Sequence, residues 1–119
     1  MKTILFIEDN PCILDNLREY FELMGYKVLL ANCGEKGIEI AKSNFPDLIV
    51  CDMVMPDLNG NDVLSSLLAS PKTSFIPFIF STSKSENIDR KNALNHGATD
   101  YIIKPYELES LLSLINKCL

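Results

Sequence analysis

A chain of 119 residues, 47% hydrophobic and 23% charged with no low-complexity tract, has the material for one buried core; disorder is excluded and a single domain over 1–119 is predicted. The formal net charge of −5 leaves no basic footprint, so direct binding to nucleic acid or to an anionic membrane is not expected. Cys12, Cys33, Cys51 and Cys118 are scattered without metal-type spacing, and the first apolar run, Ile4 to Ile7, is too short for a signal peptide or a membrane span, which together predict a soluble cytoplasmic protein with reduced thiols.

Taken in order, Ile4 to Ile7 reads as a buried strand that stops on Glu8-Asp9-Asn10, and Pro11 suits the first turn of a helix. Leu14, Leu17, Phe21 and Met24 form that helix's inner face, with Gly25 as its stop. Val28 to Ala31 is a second strand. Gly34 to Ser43 is a weaker helix, since Gly34 and Gly37 lower its propensity and only Ile38, Ala41 and Ile40 anchor it. Leu48 to Cys51, bounded by Pro46 and Pro56, is continuously apolar and so buried on both faces, with Cys51 a small core residue and Asp52 at the strand's carboxyl end. Gly60 is expected to supply a positive-φ turn, and Val63, Leu64, Leu67 and Leu68 to face the core from a helix that Pro71 ends. Phe78 to Phe80 is a fourth strand running into Ser81-Thr82-Ser83. Ser83 and Glu86 have capping-box spacing and predict a sparsely anchored helix, held by Ile88, Ala93 and Leu94 and closing at His96-Gly97. Tyr101 to Ile103 is the fifth strand, ending on Lys104-Pro105, and Leu108, Leu111, Leu112 and Ile115 build the last helix.

Five strands alternating with five helices specify an α/β three-layer sandwich around a five-stranded parallel sheet. Glu8, Asp9, Asp52, Thr82 and Lys104 each follow an apolar strand, so a parallel sheet carries all five to its carboxyl edge, where such sheets bind ligands. One polar residue at a strand end is commonplace; three carboxylates, a hydroxyl and an ammonium on one edge make a reactive set. The carboxylates repel one another unless a cation is shared, and Mg2+ suits carboxylates that leave room for waters and a phosphate oxygen. A carboxylate that also faces an ammonium and a hydroxyl is placed to attack a phosphoryl group, which nominates Asp52 as an aspartyl phosphate.

Glu8-Asp9-Asn10, Asp52 with Met55-Pro56 and Gly60, Thr82-Ser83, and Gly97-Ala98 leading through Tyr101 to Lys104-Pro105 together resemble the receiver domain of two-component response regulators, chemotaxis-regulator-like, over essentially the whole chain. The resemblance implies a flavodoxin-like strand order of 2-1-3-4-5 and a regulatory phosphoacceptor rather than an enzyme. It implies phosphorylation of Asp52 by a sensor histidine kinase or histidine phosphotransfer protein. Mg2+ would be held by Asp9, Asp52 and the Val54 backbone carbonyl, with Glu8 acting through water. Lys104 would contact the phosphoryl group, the backbone of Val54 and Ser83 would bind it, and Thr82 and Tyr101 would rearrange after it arrives. Ser83 stands where alanine is frequent and Tyr106 where phenylalanine is commoner. Ser110 and Leu114 replace the glutamate and arginine of relatives that dimerise through salt bridges, so a monomer or a weak phosphorylation-dependent dimer is expected.

A flavin mononucleotide carrier of the same strand order needs a glycine- and hydroxyl-rich loop after strand one, where this chain has Glu8-Asp9. A phosphatase of the haloacid dehalogenase type expects a second aspartate two positions beyond Asp52, where Val54 stands. A receiver-like binding module that is never phosphorylated remains the alternative. The output face, for a partner not identified by sequence, is expected on the helix after Ser83, the fifth strand and the last helix, where Leu114 widens the apolar stripe. The resemblance implies that Val54 and Lys84, two positions beyond Asp52 and Thr82, influence loss of the phosphoryl group. Valine offers no hydrogen bond to orient a hydrolytic water and Lys84 would cover the phosphoryl oxygens without acting as a base, so a long-lived phosphoryl group is expected. Asp57, outside the pocket, is expected to tolerate Asp57→Asn with little change.

Overall fold

The computed structural model describes residues 1–83 and 97–119. Along the chain run β1 (Thr3–Ile7), α1 (Pro11–Leu23), β2 (Lys27–Ala31), α2 (Gly34–Asn44), β3 (Leu48–Asp52), α3 (Gly60–Leu68), β4 (Phe78–Ser83), β5 (Asp100–Lys104) and α4 (Leu108–Cys118). The sheet order is β2-β1-β3-β4-β5 and every pairing is parallel, the flavodoxin-like arrangement expected from the sequence. Four helices lie among the described residues. The fifth expected helix, with its Ser83–Glu86 capping box, its anchors Ile88, Ala93 and Leu94, and His96, falls on 84–96, outside the described residues, as does Lys84.

The apolar strands have no alternation because both faces are covered. Ile4 and Phe6 of β1 pack with Leu14, Leu17 and Phe21 of α1 and with Leu111 and Ile115 of α4. Leu5 and Ile7, pointing the other way, pack with Ala41 of α2 and Val63, Leu64 and Leu67 of α3. Phe6 and Phe21 meet at 5.1 Å between ring centroids, tying α1 to the central strand. Edge strand β5 is only half-buried, and Ile103 is exposed.

Three local expectations are corrected. Met24 is not on the inner face of α1: the helix ends at Leu23, Met24 is its C-cap and is half-exposed, and the chain turns at Gly25 with φ of 92°. Leu68, at the last position of α3, is likewise exposed, leaving Val63, Leu64 and Leu67 to fill the core. The glycines of α2 are packing residues rather than weaknesses. A Cβ at Gly37 would lie 2.4 Å from Ile7 Cδ1, so only glycine lets α2 lie this close to β1. Ile38 and Ile40 are half-buried against the same core. No helix among the described residues is long and apolar enough to cross a membrane.

Candidate functional site: an acidic cluster at the carboxyl edge of the sheet

Parallel register brings four strand ends together. Ile7 pairs with Cys51 and Asp52 with Ser81, while Thr82 lies opposite Ile103 and Ser83 opposite Lys104. Glu8 continues the first ladder by donating its N–H to the Ala31 carbonyl at 3.0 Å. Asn10 caps α1, accepting from the N–H groups of Cys12 and Ile13 at 2.9 and 3.3 Å. Glu8 and Asp9 therefore need not cap the helix, the bland role open to them.

Glu8, Asp9 and Asp52 each bring a carboxylate oxygen within 4.8 Å of the others. Glu8 and Asp52 are buried and Asp9 is exposed. Lys104 reaches in from the end of β5, its Nζ 3.0 Å from Glu8 Oε2 and 3.1 Å from Asp52 Oδ2. Desolvation, and after it the neighbouring Glu8 carboxyl, push Asp52 up to about 7 against the opposing pull of Lys104. At Lys104 burial disfavours the ammonium, but Glu8 and Asp52 outweigh it and the pKa stays above the ordinary lysine value. With Asp52 ionised, three carboxylates face one ammonium among the described residues, and hard oxygen donors with that charge deficit fit a divalent cation such as Mg2+.

Thr82 is fully buried next to the buried Ser81. Tyr101 is half-buried against the α2–α3 side of the core. Val54 is 58% exposed between buried Met53 and Met55, which fixes an outward side chain on an inward-pinned backbone. Gly60 does not take the positive φ expected of it. It is required for close approach instead: a Cβ there would lie 2.8 Å from Phe80 Cε1 and 3.0 Å from the Asp52 carbonyl oxygen. Its N–H closes the loop by donating to the Met53 carbonyl at 2.7 Å. Burial of Tyr106 raises its phenol pKa; with Ile13, Leu17 and Leu108 it lines an apolar groove of about 520 Å3 that reaches Ser83 and Lys104. Ser110 is exposed and Leu114 half-buried on α4.

Two features escaped the sequence reading. Asn59 and Asp62 form a reciprocal capping box at α3, hidden because the third helical residue is aspartate rather than glutamate. Asp57 lies outside the acidic cluster, as expected, but its carboxylate accepts from Gly34 N–H at 3.0 Å and Glu35 N–H at 2.9 Å, capping α2 from another element. A separation of 22 and 23 residues leaves no local spacing that could announce it.

A flavodoxin-like sheet with an acid-lined carboxyl edge defines a class of α/β domain that binds its ligand where the strands end. Residues 4–116 match the response regulator receiver domain model, and the chain belongs to that family, whose members act in two-component signalling. Protein PilH of Pseudomonas aeruginosa is 37% identical over 119 residues, which cover 100% of this chain and 98% of PilH. Response regulator SaeR of Staphylococcus aureus is 36% identical, but the chain spans 51% of its length. Among solved structures, the receiver domain of sensor histidine kinase PA1611 from Pseudomonas aeruginosa PAO1, described with magnesium coordinated in its active-site cleft, superposes with a TM-score of 0.87 at 28% identity, covering 98% of this chain and 95% of that one.

Proposed function

We propose that this receiver domain is a Mg2+-dependent phosphorylation switch whose phosphoacceptor is Asp52. The observation that carries the reading is the pairing of a buried Asp52 with Lys104 at 3.1 Å inside a cluster of three carboxylates. An Asp52 carboxylate oxygen forms a P–O bond as the P–N bond of a phosphohistidine breaks, the bonding electrons leaving on the imidazole nitrogen. Lys104, already charged and turned toward Asp52, steadies the phosphoryl oxygens. Asp9, Asp52 and the Val54 carbonyl would hold Mg2+, with Glu8 reaching it through water, and the ion supplies charge neutralisation at the transferring group. The backbone N–H groups of Val54 and Ser83 receive the remaining oxygens. Thr82 and Tyr101 then rearrange and alter a partner-binding face that includes β5 and α4. The donor is a sensor histidine kinase or a histidine phosphotransfer protein, for which the apolar groove beside Lys104 offers a seat. Magnesium in the cleft of the related kinase receiver domain supports the metal assignment.

The experiment is phosphoramidate labelling followed by intact mass. One phosphoryl group is expected on the parent with Mg2+, and none on Asp52→Asn or in excess chelator. Undiminished labelling of Asp52→Asn would reject the assignment and leave the domain as a binding module.

A further inference from the structure

The loop joining β3 to α3 carries the Val54 carbonyl, and it is pinned at three places. Met53 N–H donates to the Ser81 carbonyl at 2.9 Å, and Gly60 N–H donates to the Met53 carbonyl at 2.7 Å. The third attachment leaves the loop altogether: Asp57 Oδ1 and Oδ2 take the first two N–H groups of α2. Contact there is intimate, since a Cβ on Gly34 would lie 2.9 Å from Leu58 Cβ and 3.0 Å from Val63 Cγ2. The helix has no cap of its own: Cys33, at the N-cap position, makes no side-chain cap hydrogen bond. A helix that relies on a borrowed carboxylate is thereby coupled to the loop that lends it.

We propose that Asp57 is a positioning residue for the phosphorylation chemistry: by fastening the 53–60 loop to the first turn of α2 it sets where the Val54 carbonyl stands, and with it the affinity of the site for Mg2+. This rests on the metal assignment above. Coupling is reciprocal, so Mg2+ binding tightens the Asp57 attachment as much as the attachment tightens Mg2+.

A pair of variants separates positioning from simple helix capping. Asp57→Ala removes both roles. Adding Cys33→Ser returns a hydroxyl cap to α2 but leaves the loop untied. Mg2+ alone is titrated into each protein, followed by backbone amide NMR at 53–55 and at 34–35, with denaturant midpoints measured in parallel. Asp57→Ala should weaken Mg2+ binding about fivefold, the low end of coupling between linked sites, and Asp57→Asn, which keeps an oxygen for the cap, should recover most of it. The double variant should regain the parent's midpoint and keep the weakened Mg2+ affinity, and in the parent Mg2+ should slow exchange of the Gly34 and Glu35 amides. Restoration of both midpoint and affinity by Cys33→Ser, or unchanged affinity in Asp57→Ala, would overturn the proposal while leaving the metal assignment standing. A parent that fails to bind Mg2+ would overturn both.

Discussion

Asp52 and Glu8 hold two carboxylates in a buried place with, among the described residues, only Lys104 opposite them, an arrangement suited to capturing a cation and unfavourable without one. Replacing Asp52 by asparagine relieves that repulsion while Lys104 keeps its 3.0 Å contact with Glu8. Asp52→Asn should therefore stabilise the metal-free protein by about 1 kcal/mol, as relief of functional-site strain commonly does. Urea unfolding without Mg2+ checks this, and a lowered midpoint would contradict it. Asp57 makes a second prediction, on pH. Its pKa is lowered from 3.8 to about 2, chiefly by the Glu35 N–H and next by that of Gly34. A depressed carboxylate contributes stability in full above its ordinary pKa and loses it as pH falls toward the folded value. Acid unfolding of the parent should thus steepen between 3.8 and 2, and Asp57→Asn should flatten that limb. The side chain is exposed, so the effect is small. The acidic set and Lys104 were legible because each directly follows an apolar run. Asp57 was not, because its partners are set by how two loops meet in space.

On propensity alone α2 looked weakest among the helices now described, and the two glycines responsible turn out to be its contact surface. Propensity predicts that Gly37→Ala gains about 1 kcal/mol. Contact predicts a loss, since the added methyl would meet Ile7 Cδ1 at 2.4 Å and Cγ1 at 2.7 Å, and Ile7 is buried and stiff at its branch point. Overpacking of a fixed core costs about 1–3 kcal/mol, so the variant should have the lower melting temperature, with Ile7→Val restoring part of it. A rise in melting temperature would show that β1 and α2 can part without penalty. Four of the five strands were read within a residue of their ends because continuous apolar runs leave little ambiguity of period; β4 continues three residues past Phe80, because Ser81, Thr82 and Ser83 stay in the ladder although they are polar. Inner faces were extended too far at Met24, just past the end of α1, and at Leu68, the last residue of α3, where an apolar residue continues the stripe beyond the reach of the core.

Across the whole molecule, the order β2-β1-β3-β4-β5 places Asp52 on a central strand with the acidic pair on one side and β4 and β5 on the other. On the function proposed above, a phosphoryl group on Asp52 would act on β4 as the neighbouring strand, on β5 through Lys104, and on α2 through the Asp57 attachment. The layer order followed from the alternation of strands and helices, whereas the β2-β1-β3-β4-β5 order rested on resemblance, since right-handed crossovers alone permit other sequences of strands. Lifetime belongs to this scale too, because it sets how long the changed face persists. Val54 is exposed and cannot orient a water by hydrogen bonding. Supplying one such contact, worth ~1.4 kcal/mol in the transition state, should speed hydrolysis about tenfold, so Val54→Asn should shorten the phosphorylated state when phosphate loss is timed after donor removal.

If Asp52 alone takes the phosphoryl group, as proposed, mapping the acyl phosphate along the chain will show it. Borohydride reduction after acetyl phosphate and Mg2+ treatment converts a phosphorylated aspartate to homoserine, which peptide mass spectrometry locates. Homoserine at position 52 alone, and none when Mg2+ is withheld, is the expected result. Modification at Glu8 or Asp9, or an unreduced Asp52 in a protein that carries phosphate, would contradict the account.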